Sequence, residues 1–166
     1  QIVSTMSTIG QNKADVLKKR LEDINPDANI TAIDRNWTAK DNFLVNEKVD
    51  YVVDAIDSVP EKVDLICMCK ENGINIVSAM GAGFRVNSNM FELSDIFKTF
   101  NDPLAKKVRK LLKDRGVDSL DVVYSKEKPE KSSDIIGSAM FAVGASGLML
   151  SEHVVLKLIS MGNEVK

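Results

Sequence analysis

The alternation of apolar and polar positions divides the 166 residues into short helical and extended stretches. From Gln11 to Ile24, apolar residues fall at Ala14, Leu17, Leu21 and Ile24, one stripe of a helix, with Lys18, Lys19 and Glu22 facing water. Gly10 precedes this helix and Asn25-Pro26-Asp27 stops it. Ile30 to Ile33 alternates as a short strand, and Thr38 is placed to cap a brief helix through Val45. Tyr51-Val52-Val53 is a compact apolar run that ends in Asp54-Ala55-Ile56-Asp57-Ser58, the pattern of a central parallel strand buried on both faces. Pro60 opens the next helix, which runs to about Asn72 and buries Val63, Ile66, Cys67 and Cys69. Gly73 closes that helix, and Ile74 to Val77 is a second buried strand. Strand, helix and strand at this spacing make one βαβ crossover.

Beyond Gly81-Ala82-Gly83 the pattern changes. Met90 to Leu93 alternates as an antiparallel strand. Asp102-Pro103 starts a helix with Leu104, Val108, Leu111 and Leu112 on one side, and Leu120 to Tyr124 is a further strand. Ser125 to Asp134 is polar, carries Pro129 and reads as a mobile loop. A long closing helix ends near Met161-Gly162. The class is α/β, a mostly parallel sheet with an appended antiparallel portion and a long C-terminal helix. Ile135 to Leu150 is almost entirely apolar or small, but it falls short of the roughly 20 residues of a spanning helix. Ser138, Gly144, Ser146 and Gly147 also interrupt it. We expect a helix buried inside a soluble protein, without stable membrane insertion.

Composition narrows the function. With 28% charged and 44% apolar residues, the chain is an ordinary globular domain. Its net charge of −2 argues against nucleic-acid binding through bulk positive charge but leaves room for a local basic patch. Two cysteines, Cys67 and Cys69, and one histidine, His153, are too few ligands for a structural zinc site. Sparse cysteine suits a reducing cytoplasm. The chain opens on Gln1 without a charged-then-apolar leader, from which we expect a processed chain or one lacking its front.

Ligands of an open parallel sheet bind at the carboxyl ends of its strands, where Asp54 and Asp57 stand. Two carboxylates there are equally suited to holding Mg²⁺ or to capping a helix and facing solvent. Lys13 lies in the first turn of its helix, where a cation opposes the helix dipole; phosphate binding is one reason for it and plain solvation the commoner. Lys106, Lys107, Arg109, Lys110 and Lys113, with Arg115 beyond, form a basic helix face suited to a phosphate backbone, although most such runs are solvated faces. Cys67 and Cys69 read as core residues and His153 as a packing residue.

Asp54-Ala55-Ile56-Asp57-Ser58 resembles the D-x-x-D-[NS] motif of the E1-like (ThiF/MoeB/HesA) adenylating enzymes. Ile9-Gly10-Gln11-Asn12-Lys13 lies one βα unit earlier, like their G-x-x-K turn, and Asn25-Pro26 is similar to their helix stop. Three stretches are similar to the tRNA threonylcarbamoyladenosine dehydratases within that superfamily: Asp54 to Ser58, Ser78-Ala79-Met80-Gly81-Ala82-Gly83, and Asp102-Pro103-Leu104-Ala105 leading into the basic helix. The likeness covers nearly the whole chain and implies a Rossmann-like (ThiF-type) sheet lacking its first βαβ. It further implies one domain over 1–166, with 1–80 the remaining Rossmann-like part and 81–166 the antiparallel strands and helices.

The reaction implied is adenylation of a carboxylate by ATP, here that of the threonylcarbamoyl group on tRNA adenosine 37, then ring closure with release of AMP. By position Lys13 would contact the phosphates and Asp57 would hold Mg²⁺; these two carry the catalysis. Ser58 would lie beside the nucleotide and Asp54 would support the strand end, both within the cofactor-binding set. Lys106, Lys107, Arg109, Lys110 and Lys113 would meet tRNA. Relatives form homodimers, and a cysteine desulfurase or sulfur acceptor is a further partner. The family's glycine-rich loop, its ribose-gripping acid and its arginine are not among these residues, so we expect weak ATP binding by the chain alone and pairing with a front half or a second copy. The rival readings are an activating enzyme for a ubiquitin-like sulfur carrier, and a non-catalytic interaction module.

Overall fold

A computed structural model describes residues 3–41, 43–130 and 135–164. The chain forms two compact units, Gln1–Trp37 and Thr38–Lys166. In the first unit, helix α1 spans Lys13–Ile24 and begins two residues later than the apolar stripe suggests. Asn12 sets that start, because its side-chain oxygen accepts from the amides of Ala14 (2.8 Å) and Asp15 (3.3 Å). Lys18 and Glu22 pair across one turn at 3.6 Å. The strand expected at Ile30 to Ile33 does not form. A strand exists through its ladder to a neighbour, and all the strands among the described residues lie in the second unit.

The second unit contains α2 (Phe43–Asn46), β1 (Tyr51–Asp54), α3 (Val59–Glu71), β2 (Asn75–Ala79), β3 (Phe91–Asp95), α4 (Pro103–Asp114), β4 (Asp121–Ser125) and α5 (Met140–Glu164). Thr38 does not cap α2; its amide and hydroxyl donate to the Asp41 carboxylate and close a turn ahead of it. The sheet order is β1-β2-β4-β3. β1, β2 and β4 run parallel, and β3 pairs antiparallel with β4, Leu93 opposite Val123. The crossover and the antiparallel addition are those the sequence pattern predicts. Gly73 leaves α3 with φ +67°, a conformation that favours glycine.

The two sheet faces separate by strand alternation. Val77, Phe91 and Val123 pack against Ala142 and Leu150 of α5, with Tyr51 and Ala79 alongside. The opposite face carries Val52, Asp54, Ile76, Ser78 and Val122, all buried. There α3 contributes Val63, Ile66, Cys67 and Cys69, and α4 packs on α3 through Ala105, Val108 and Leu112. Leu111, expected on that buried stripe, is 39% exposed. β1 is an edge strand and is not buried on both faces: Val53 is 49% exposed on the α5 side.

The expectation of a buried helix from Ile135 to Leu150 is overturned. The helix starts only at Met140, and Ile135, Ile136, Met140, Phe141 and Leu148 are all exposed. Only one face of α5 meets the sheet, because a single helix laid on a sheet has no second layer above it. By length and composition α5 is also long and apolar enough to cross a membrane.

Candidate functional site

The carboxyl ends of β1 and β2 carry a buried polar cluster built by α3. Lys62 lies four residues before Ile66 and seven before Cys69, on the stripe that α3 turns toward the sheet, and its side chain is fully buried. Its ammonium donates to Asp54 Oδ2 (2.7 Å), Ser78 Oγ (3.0 Å) and the Ala79 carbonyl (3.0 Å), which uses all three of its hydrogens. Ser78 also donates to Asp54 Oδ2, and Asp54 Oδ1 accepts from the Ile56 amide at 2.9 Å. Burial pulls the Lys62 pKa down, and the carboxylates of Asp54, Asp57 and Asp102 push it back up. A buried charge is tolerable when it is paired and hydrogen-bonded in this way.

This cluster fixes the turn from Asp54 to Ser58. Both Asp54 oxygens accept hydrogen bonds and the residue is 1% exposed. Those bonds tie Asp54 to the ends of β1 and β2. Asp57 and Ser58 are exposed beyond it. Ser58 occupies the N-cap position of α3 without a capping bond from its side chain, and its hydroxyl pairs instead with Glu61. That contact lowers the Glu61 pKa. Lys13 is exposed at the first position of α1, in the first unit, while Asp57 and Ser58 belong to the second.

A second buried cluster lies just past β2. Asp102 caps α4 by accepting from the Ala105 amide (2.9 Å), and its other oxygen accepts from the Gly81 amide (3.0 Å). A Cβ at Gly81 would lie 3.3 Å from that carboxylate, which would have to give by a few tenths of an ångström. Arg85, fully buried, approaches Asp102 at 4.0 Å and donates to the Asn101 carbonyl at 3.0 Å. Its Nε and Nη1 find no acceptor among the described residues. Burial lowers its pKa, opposed by Asp102 and Glu127. The Asp-Pro that starts the basic helix is thus tied to the glycine turn at the end of β2.

On α4, Lys106, Lys107, Lys110 and Lys113 are exposed on the side away from Val108 and Leu112. Arg109 differs from them. One of its guanidinium nitrogens donates to the carbonyls of Ile96 (3.1 Å) and Thr99 (2.8 Å) and to the Thr99 hydroxyl (2.8 Å). That nitrogen ties α4 to the turn after β3, and the exposed cations of the helix are its lysines. Arg115 pairs with Asp64 of α3.

The polar stretch after β4 begins as ordered structure. The Lys126 amide bonds to the Met90 carbonyl, and Glu127 accepts from the amides of Val86 and Asn87. Lys131 to Asp134 lie outside the described residues. Cys67 and Cys69 are free and buried as expected, and burial pushes the Cys69 thiol up to about 11. His153 packs edge-on against Tyr51, bonds to its hydroxyl at 3.0 Å and lies 3.3 Å from Asp121, at the amino end of the strands.

Sequence reasoning missed Lys62, Ser78 and Arg85. The first two had a signal: a lysine on the apolar stripe of α3, and a serine opposite Asp54 in the parallel register of a buried strand.

The ThiF family model matches residues 1–165. The chain belongs to the ThiF family. Among its ThiF-family relatives is the tRNA threonylcarbamoyladenosine dehydratase of Bacillus subtilis, 31% identical over 180 residues, covering 96% of this chain and 70% of the relative. The crystal structure of the E. coli tRNA N6-threonylcarbamoyladenosine dehydratase, TcdA, in complex with AMP is 33% identical, with a TM-score of 0.89, over 99% of this chain and 71% of that one. The same enzyme in complex with ATP matches with a TM-score of 0.89 at 32% identity. The family, the α/β fold with its mixed sheet and C-terminal helix, and the class of ATP-using tRNA dehydratase expected from the motifs are those of these relatives.

Proposed function

We propose that this chain supplies the β1-turn, basic-helix and C-terminal-helix parts of an ATP-dependent tRNA threonylcarbamoyladenosine dehydratase. The carboxylate of the threonylcarbamoyl group on adenosine 37 attacks the α-phosphate of ATP, expelling pyrophosphate and giving an acyl-adenylate. Attack from within the same modification then closes a ring and expels AMP, a net loss of water. The observation that carries the reading is Asp57: an exposed carboxylate at the ligand end of a parallel strand, on a turn pinned from beneath by the buried Asp54–Lys62 pair.

The donor set fits Mg²⁺ in the way phosphate-bound Mg²⁺ is usually held, by one or two carboxylates with phosphate and water completing the shell. Asp57 is the residue that would hold it, since Asp54 is already engaged; the ion would neutralise phosphate charge there. Lys13 contacts the phosphates, Ser58 borders the nucleotide, and the exposed lysines of α4 meet the tRNA backbone. The whole of 1–166 acts as one ThiF-type domain, 1–80 serving the nucleotide and 81–166 the tRNA and the partner copy. We place the enzyme in the cytoplasm as a homodimer, supported by the uncovered apolar face of α5, with a cysteine desulfurase or sulfur acceptor as a further partner.

The test is AMP release by the full-length protein with ATP, Mg²⁺ and threonylcarbamoylated tRNA, against the same mixture with unmodified tRNA. Release requires the modified tRNA, and Lys13→Ala and Asp57→Ala each lower kcat by about 100-fold or more, the scale of a lost electrostatic contact to a transition state. AMP release indifferent to that tRNA overturns the reading.

A further inference from the structure

We propose that Lys62 is a positioning residue for the reaction, acting through the turn that presents Asp57; this rests on the reading of Asp57 given above. Lys62 touches no group that is exposed at the site. It works at the junction of three segments. Through Asp54 Oδ2 it holds the carboxylate whose other oxygen fixes the Ile56 amide, the residue before Asp57. Through Ser78 and the Ala79 carbonyl it holds the end of β2, two residues before Gly81, whose amide bonds to the Asp102 cap of α4. One buried ammonium therefore joins the nucleotide turn to the end of β2, and the backbone through Met80 carries that connection to the Gly81 amide and the Asp102 cap of the lysine helix.

Packing alone does not account for a cation here. An apolar pair in place of both Lys62 and Asp54 would fill the same space, and replacing a whole buried ion pair by well-packed apolar residues is often neutral or stabilising. What the ammonium supplies is direction: three hydrogen bonds of defined geometry, which set the position of β1's last residue relative to β2's. Placement matters because a shift of about 1 Å in a positioned group costs about 100-fold in rate.

The experiment is a double-mutant cycle in the full-length protein, read as single-turnover AMP formation with saturating ATP and modified tRNA. Lys62→Met is expected to keep the circular-dichroism spectrum, lower the rate about 100-fold and leave KM for ATP within threefold. In an Asp57→Asn background the same substitution costs less than threefold, because the group it positions is gone. Ser78→Ala, which removes one of the three acceptors, loses about fivefold and also becomes silent in that background, and it decides the matter if Lys62→Met fails to fold. Equal losses in both backgrounds overturn the proposal while leaving Asp57's role intact. An Asp57→Asn enzyme as fast as the wild type removes both.

Discussion

Helices α4 and α5 lie over opposite faces of one sheet and finish those faces in opposite ways. α4 packs against α3 on its face of the sheet, with Ala105, Val108 and Leu112 inside and a row of lysines outside. α5 lies directly on the strands with Ala142, Ser146 and Leu150 inside, and it keeps Phe141, Leu148, Val155, Leu156 and Ile159 outside. A charged outer face ends a protein in water. An apolar outer face of this extent is where another surface is expected. The same contrast runs beneath the helices: the α3 side buries ions and pairs them, and the α5 side buries almost only carbon.

Four experiments sharpen or break this comparison. The largest effect is expected on α5. Replacing Leu148 and Val155 together by glutamate puts charge into the face proposed to be covered by a second copy, with an expected cost of about 3–5 kcal/mol in self-association. Sedimentation then shows monomers, whereas an unchanged mass would mean that this face is not the dimer surface. Flotation with lipid vesicles, expected to leave the wild type unbound, separates a membrane from a second copy. Next comes the buried ion cluster on the other side. Asp102→Ala removes the α4 cap and strands the Arg85 charge, a loss of about 3 kcal/mol in denaturant unfolding, while Asp102→Asn keeps the cap and loses less.

Burial under α3 also predicts a pH effect. The Cys69 thiol titrates near 9 unfolded and at about 11 folded, so the folded state holds the extra proton between those values. Stability from this group is complete below pH 9 and is lost as the pH rises toward 11, on the order of 2 kcal/mol. Cys69→Ala should flatten that part of the stability curve relative to wild type; parallel curves would contradict the burial. The smallest effect belongs to α4's outer face. Lys106→Ala, Lys110→Ala and Lys113→Ala together should weaken tRNA binding about tenfold and reduce the salt slope by about two to three. Self-association should be untouched, and a change there would erase the distinction between the helices.

Much of this architecture is legible in the residues. The apolar runs around Val52 and Val77, with Pro60 and Gly73 between them, force a crossover. Asp102-Pro103 announces a helix start that the structure realises to the residue. The site was legible only at its rim. Asp57 is conspicuous because a strand stops beside it, but Lys62 looks like one of many surface lysines until the strand carrying Asp54 is laid against the strand carrying Ser78. Pairing between strands is long-range information, and a helix stripe shows only that Lys62 faces inward. The strand expected at Ile30 failed for the same reason: alternation describes a face, while a strand also needs a neighbour. α5 misled in the reverse direction, because apolar composition indicates an avoidance of water and not which surface provides the shelter.

Gly83 adds a constraint of another kind. A methyl group there would come within 2.6 Å of Ile136 Cγ2, across a turn that the Phe84 amide closes onto the Gly137 carbonyl. Ile136 is β-branched, so relieving the contact means taking its side chain out of its preferred χ1 rotamer. The two positions are therefore expected to drift together during evolution: descendants with a side chain at 83 should carry something smaller at 136, and a change at either position alone should be rare.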